Sequence, residues 1–445
     1  MTSAPHILLV NPWIHDFAAY DFWAKPLGLL GLAALLRHHG CTVSYVDCLD
    51  RFHPRAPATD PRQRCGRGPY LKTPLPKPAA LADVSRRFSR YGIKPEWLIE
   101  DLRALPRPDL ILVTSMMTYW YTGVHETIGI LRQIFADAPL ILGGVYATLC
   151  PEHARRTAGA DRVAGGAAEP MLLDLVAEVT RYRPAARFDP QDLDTYPHPA
   201  HDLQRRSAYV PLLTARGCPF ACPYCAAKKL TPDRMTRDPE LVVDEIQRWQ
   251  RDFDVRDFVF YDDALLMEAE CHTVPILEGV IRRGLKLRFH TPNALHIRWI
   301  TPAIAHLMKR AGFDTVRLGL ETAAAAPRPV GDRKVTADEF ERAAVCLKKA
   351  GFQKRQLGAY LLAGLPGQSV EEIAASIQIV KDNGVTPILA HYSPIPHTDM
   401  WPAAVAASRY DLAADPIFTN NAILPCRKEP FSWATITRLK KLAAG

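Results

Sequence analysis

Three cysteines of this 445-residue chain stand close together, in Thr214-Ala-Arg-Gly-Cys218-Pro-Phe-Ala-Cys222-Pro-Tyr-Cys225. This Cys-x3-Cys-x2-Cys spacing puts three soft sulfur ligands on one loop. An iron–sulfur cluster ordinarily takes four cysteines, so a cluster held by Cys218, Cys222 and Cys225 would keep one iron open to a small molecule. Zinc is the competing occupant, but it wants four ligands, commonly as repeated Cys-x2-Cys pairs, and no second pair occurs. The other seven cysteines are scattered, unlike the dense framework of a small secreted domain. Thiols kept reduced and available as ligands are the better reading.

The elements that must carry this loop alternate strand and helix. Strands are expected near 209–216, 257–262, 286–291, 315–320, 356–362 and 387–392, with helices such as 239–249 and 337–350 between them. Six such units predict an open six-stranded relative of the eight-stranded barrel, whose chemistry sits at the carboxyl ends of the strands. At those ends stand Asp262 and Asp263, then Thr291 and Asn293, then Glu321 in Leu318-Gly-Leu-Glu-Thr322, then Ala363-Gly364-Leu-Pro-Gly-Gln368. A lone acidic residue after a strand is more often a helix cap than a ligand. Glu321 precedes an alanine run where no cap is obvious, and the ordered series along six strands separates these residues from chance.

The first 180 residues also alternate, with strands expected at 6–11, 42–48, 110–115, 139–144 and 161–165, which argues for a doubly wound parallel sheet. Such sheets bind ligands at the carboxyl edge, where glycines admit close approach. Ser115 ends the third strand, Gly143-Gly144 the fourth and Gly165-Gly166 the fifth. Residues 51–107 form an insertion, proline-rich at its start and returning to helix at 97–105. Residues 181–206 read as a linker, 207–398 as the barrel, and 399–445, with no clear periodicity, as an extension.

The net charge of +8 comes from one place, because residues 51–107 hold thirteen Lys and Arg against five Asp and Glu. That patch could attract an acidic or phosphorylated substrate or could be a solvated face; nucleic-acid binding has no other support. The longest apolar run, 27–36, is about half of what a membrane span needs, and no basic-apolar-small leader pattern opens the chain. A cytoplasmic protein without membrane association is expected.

The cysteine spacing, with an aromatic before the last Cys, resembles the radical S-adenosylmethionine (SAM) superfamily. The resemblance implies a 4Fe-4S cluster whose open iron chelates the amino and carboxyl groups of SAM, and it assigns SAM contacts to Tyr224, Asp262, Asp263, Thr291, Asn293, Glu321 and Gly364. The Ser-then-Gly-Gly pattern resembles cobalamin-binding domains, which makes Ser115, Gly143, Gly144, Gly165 and Gly166 expected cobalamin contacts. Together they resemble the cobalamin-dependent radical SAM group over residues 1 to about 395. One departure concerns the loop Trp13-Ile-His15-Asp-Phe-Ala18, which keeps a histidine without the flanking Asp and Gly of the Asp-x-His-x-x-Gly motif. A ligating histidine normally has a carboxylate on its other nitrogen, and Trp13 stands where that carboxylate would be. No protein imidazole on cobalt is therefore expected.

These readings add up to an oxygen-sensitive enzyme in which a 5'-deoxyadenosyl radical activates a substrate carbon and methylcobalamin methylates it. Two alternatives stay open: a radical enzyme without cobalamin catalysing rearrangement, cyclisation or oxidation, and a corrinoid or redox sensor without turnover. The expected partners are a small-molecule or peptide substrate and an electron donor such as flavodoxin or ferredoxin. No protein side chain is singled out as acid, base or nucleophile.

Overall fold

The computed structural model describes residues 4–322, 335–427 and 432–444. The chain forms two compact units, one comprising residues up to Ala208 together with Leu412–Asn420, the other Tyr209–Asp411 with the residues from Asn421 on. Among the described residues, no helix is long and apolar enough to cross a membrane.

In the first unit the strands are β1 (His6–Asn11), β2 (Ile14–Asp16), β3 (Thr42–Asp47), β4 (Lys72–Pro74), β5 (Ser89–Tyr91), β6 (Leu110–Val113), β7 (Leu140–Leu142) and β8 (Arg162–Val163). Five of them make a parallel sheet in the order β3-β1-β6-β7-β8. Strands buried on both faces read as continuous apolar runs, and Ile7 to Val10 and Leu110 to Val113 are buried accordingly. The helices α1 (Leu27–His38), α2 (Pro95–Arg103), α3 (Tyr121–Ile134), α4 (Val145–Leu149), α5 (Pro151–Thr157) and α6 (Leu172–Thr180) accompany the sheet, and two separate apolar clusters, one around Leu8, Val10 and Ile111 and one around Ile7, Leu9 and Leu110, form its core. The strand order reverses between β1 and β6, which is where doubly wound sheets bind ligands.

The insertion is more regular than its prolines suggest. β4 and β5 pair antiparallel, and β5 pairs with β2, giving a three-stranded sheet beside the main one. Pro74 closes β4 at its last residue, an end position where its missing N–H is tolerated. The stretch 181–206 packs as part of this unit: Ala200 N–H donates to Leu30 O, and His201 is fully buried.

The second unit holds β9 (Val210–Leu212), β10 (Ala215–Arg216), β11 (Met235–Thr236), β12 (Asp257–Phe260), β13 (Arg288–His290), β14 (Phe313–Glu321), β15 (Leu357–Ala363) and β16 (Thr386–His391). Six form one parallel sheet in chain order, β9-β12-β13-β14-β15-β16. The helices are α7 (Ala227–Leu230), α8 (Pro239–Phe253), α9 (Thr273–Arg282), α10 (Pro302–Ala311), α11 (Ala337–Lys349), α12 (Val370–Asp382), α13 (Trp401–Ala407) and α14 (Trp433–Ala444). Capping boxes start α11 (Thr336 with Glu339) and α12 (Ser369 with Glu372), each satisfying otherwise orphaned N–H groups. The core of this unit includes a large apolar cluster containing Phe258, Phe260, Phe289 and Phe313. The fold is thus the expected α/β combination of a doubly wound sheet and a six-stranded partial barrel. The final residues, without visible period, do form helices: α13 is only seven residues of small and apolar type, too short to show an amphipathic period.

Candidate functional site

The cysteine loop leaves β9 and is pinned before its first sulfur. Asp262 Oδ1 accepts from Thr214 N–H (3.1 Å), Thr214 Oγ1–H (2.6 Å) and Ala215 N–H (2.6 Å). Thr214 Oγ1 also lies 2.9 Å from His272 Nε2. Gly217 has φ +81°, and a Cβ there would sit 2.5 Å from Asp233 O, so only glycine fits. Its N–H donates to the Asp263 carboxylate, and Arg234 Nη1 donates to its carbonyl at 3.3 Å. β10 and β11 close the base as a short antiparallel pair. Farther along, Met400 N–H donates to Pro223 O at 2.8 Å.

Cys218 and Cys222 are half-buried and Cys225 exposed. Three thiols on one loop are the donor set that a cluster with one open iron takes. His296 was not anticipated: it is buried against Phe220 (ring centroids 4.5 Å apart), with Nε2 4.0 Å from Cys218 Sγ. Its position five residues past Thr291, in the loop after β13, was the available signal.

The remaining barrel residues lie on the same carboxyl edge. Asp262 is fully buried, which pushes its carboxyl up to about 6 in spite of the hydrogen bonds from Thr214 and Ala215; its Oδ2 has no partner among the described residues. Asn293 Nδ2 donates to Tyr261 O at 2.7 Å, joining the ends of β12 and β13. Thr291 Oγ1 donates to Thr315 O (3.3 Å) and accepts from Arg317 N–H (3.1 Å), joining β13 to β14. None of these residues caps a helix. Glu321, buried, has φ +65° at a register slip against β15, and such strain in a non-glycine residue concentrates at functional sites. The alanine run after it lies outside the described residues. Gly364 has φ +90°, and its N–H donates to Gln368 Oε1 at 2.8 Å, while Gln368 Nε2 reaches back to Leu362 O at 2.9 Å. Tyr224 is half-buried between Cys222 and Cys225.

The first unit brings Ser115 and the glycine pairs to one edge. Ser115 Oγ donates to Gly143 O (2.6 Å) and accepts from Ala147 N–H (3.3 Å). Gly144 has φ +91°, and a Cβ there would meet Ser115 O at 2.3 Å. Thr148 Oγ1 accepts from Gly166 N–H at 2.9 Å. The backbone itself is open: a Cβ on Gly166 would meet nothing within 4 Å, and one on Gly143 only Ala164 O at 3.7 Å. Gly165 is closed by Thr148 at 3.4 Å. Met116 and Met117, just beyond β6, are 38% and 42% exposed. A bare glycine edge flanked by exposed apolar side chains fits a broad, mostly apolar ligand such as a corrin ring.

His15 is committed elsewhere. It sits on β2, buried, with Nε2 2.8 Å from Glu126 Oε2 and its ring edge-on to Phe88. Burial alone would raise the Glu126 carboxyl, but hydrogen bonds from His15 and Arg90 hold it below the usual range. The carboxylate partner sought at position 13 therefore comes from α3. Trp13 instead donates to Ile93 O at 2.7 Å. Asp16 is buried and accepts from Trp120 Nε1 (2.7 Å) and Asn420 Nδ2 (2.9 Å), burial raising its carboxyl despite these bonds.

A model of the radical SAM superfamily matches residues 212–380, and a model of the B12 binding domain matches residues 82–175. The chain is 25% identical over 327 residues to an anaerobic magnesium-protoporphyrin IX monomethyl ester cyclase of Rubrivivax gelatinosus, covering 66% of this chain and 58% of that protein. It is 24% identical over 329 residues to an uncharacterized methyltransferase of Pyrococcus horikoshii, 67% of this chain and 70% of that one. The chain thus spans little more than half the length of the cyclase. Among solved structures, the radical SAM methyltransferase TsrM of Kitasatospora setae, with cobalamin and a 4Fe-4S cluster bound, is similar with a TM-score of 0.67 at 18% identity, over 91% of this chain and 78% of that one. The cobalamin-dependent radical enzyme OxsB gives 0.60 at 14% identity, over 90% and 55%. At these identities the likeness is one of fold.

Proposed function

The chain belongs to the radical SAM proteins that carry a B12-binding domain, and from that premise we propose that it methylates an unactivated carbon of a small-molecule or peptide substrate. The observation that carries the reading is the presence, in one chain, of a three-thiol loop at the carboxyl edge of a six-stranded barrel and an open glycine edge on a doubly wound sheet. Bound together, the 4Fe-4S cluster and SAM supply a 5'-deoxyadenosyl radical, and methylcobalamin supplies the methyl group; the protein aligns them.

Cys218, Cys222 and Cys225 hold the cluster. Asp262, Asp263 and Arg234 fix the loop that presents them, acting through backbone groups of residues 214–217. Glu321, Gly364, Thr291, Asn293 and Tyr224 line the edge where SAM is held: Glu321 offers a carboxylate to ribose hydroxyls, and the backbone at Gly364 admits the adenine. In the first unit, Gly143 and Gly166 let the corrin approach the backbone, while Ser115, Gly144 and Gly165 keep the loops in register. With His15 Nε2 bound to Glu126, that nitrogen is not offered to cobalt. A flavodoxin or ferredoxin in the cytoplasm would supply the electron.

The test is the cofactor content and turnover of anaerobically purified full-length protein. About four irons and one cobalt per chain, with SAM cleavage on reduction and a labelled methyl group appearing in a product, support the reading. Iron without cobalt, with SAM still cleaved, would move the assignment to radical chemistry without methyl transfer.

A further inference from the structure

The first unit contains a cavity of about 250 Å³ that neither the cluster loop nor the glycine edge uses. It opens at the end of β3, at the far side of β1 from β6, and its wall includes Gln204, Arg205 and Arg206 of the stretch before the barrel. Ligand pockets run from about 300 Å³ upward for drug-sized molecules, so this one suits something of amino-acid size.

Its floor is acidic and nearly closed to solvent. Asp47 Oδ1 is taken by Asn11 Nδ2 (2.7 Å) and Leu49 N–H (2.9 Å), and its Oδ2 lies 3.9 Å from the buried Lys25 ammonium. Asp50 is beside it, and burial together with the Asp47 charge raises the Asp50 carboxyl. Arg205 is neutralised twice, by Asp50 at 3.1 Å and Asp101 at 2.6 Å. At the mouth, Arg206 is exposed and makes no ion pair with a described residue. Gln204 also lines the cavity, and its side-chain oxygen and nitrogen are both buried without a hydrogen-bond partner. Leaving a buried amide unpaired is unfavourable, and a bound polar molecule would remove that cost.

We propose that this cavity binds a zwitterion of amino-acid size, its ammonium directed to Asp47 and Asp50, its carboxylate to Arg206, and its polar middle to the Gln204 amide. Asp47, Asp50 and Asp101 outnumber Lys25 and Arg205, the two cations set against them, which favours a further cation there, and the unpaired Arg206 guanidinium favours an anion at the ligand's other end. Gln204 supplies one donor and one acceptor between them. Every residue lining the cavity belongs to the first unit, and the ligand proposed here is a second small molecule, additional to the methyl acceptor.

The test uses the anaerobically purified full chain and the twenty standard amino acids, each added singly at millimolar concentration, with melting temperature and calorimetric titration as readouts. At least one should raise the melting temperature in a concentration-dependent way. That ligand's Kd should weaken about tenfold or more in Gln204→Leu and in Arg206→Ala. Arg206→Ala removes an exposed, unpaired side chain, so its unliganded melting temperature should match the parent and it keeps the test valid if Gln204→Leu folds poorly. Iron and cobalt content should be unchanged in both variants. No shift with any of the twenty, or a shift that Arg206→Ala leaves intact, overturns the assignment.

Discussion

The two carboxyl edges solve opposite problems. On the barrel, side chains are spent on backbone: Asp262 takes three donors from Thr214 and Ala215, Asn293 holds Tyr261 O, and Gln368 closes its own loop. On the doubly wound sheet, the edge is kept bare, with Gly166 facing open space, Gly143 uncrowded and two methionines exposed. A cluster held by thiolates needs its ligands fixed in position before assembly, and side-chain clamps do that. A wide, flat cofactor needs room along the backbone, and any side chain there would stand in the way.

The largest effect expected is from removing the thiols. Cys218, Cys222 and Cys225 replaced together by Ala should take iron to near zero and end SAM cleavage, while cobalt binding by the first unit persists. A triple variant that still reconstitutes four irons per chain would break the assignment. The converse experiment is Gly144→Ala. A Cβ 2.3 Å from Ser115 O at φ +91° forces the β6 and β7 loops apart, at a cost on the order of 2–4 kcal/mol. Cobalt should be lost with iron retained, as metal analysis of the purified variant would show; loss of both metals would mean that the edges are not independent.

The next effect depends on pH. Because the Asp262 carboxyl is raised to about 6 in the folded chain by burial, folding binds its proton more tightly, and its contribution to stability falls as pH rises through that value. Asp262→Asn carries no such penalty. The stability difference between variant and parent should therefore move in favour of the variant by roughly 1 kcal/mol between pH 5 and 7.5, read from denaturant melts at the two values. A difference independent of pH would place the charged form in a better-solvated site than the geometry shows.

Glu321→Gln should weaken SAM binding about tenfold, equivalent to about 1.4 kcal/mol, with iron unchanged. Unaltered affinity combined with a lower melting temperature would reduce Glu321 to a structural role at the β14 slip. The smallest expected effect is at His15. Electron paramagnetic resonance of bound cob(II)alamin should show no nitrogen splitting, and His15→Ala should leave the spectrum as it is. Splitting that vanishes in the variant would mean that His15 reaches the metal.

How much of this was legible in the sequence varies with the range of the interaction. The barrel and the doubly wound sheet follow from alternating apolar runs and helical stretches, which are local patterns. The cysteine spacing carried its chemistry unaided, because three ligands on one loop need no tertiary contact to be seen. The series Asp262, Asn293, Glu321 and Gly364 was visible as residues at strand ends. Its division of labour was not: Asp262 holds residues 48 positions back along the chain, and no periodicity records such a bond.

The antiparallel pairing of β2 with β5 was hidden for a similar reason, since strands of three residues give too short an alternation to detect and exist only because each finds the other. His15 shows the limit most directly. Its neighbours in sequence lack the flanking residues of the familiar motif, and its carboxylate partner, looked for two residues away, comes from Glu126, more than a hundred residues on. Sequence by itself determined which chemical groups each loop carries and which strand end presents them, since both depend on neighbours along the chain. Tertiary structure alone decided which groups remain available, because a side chain's free atoms depend on the donors and acceptors that folding brings to it from elsewhere.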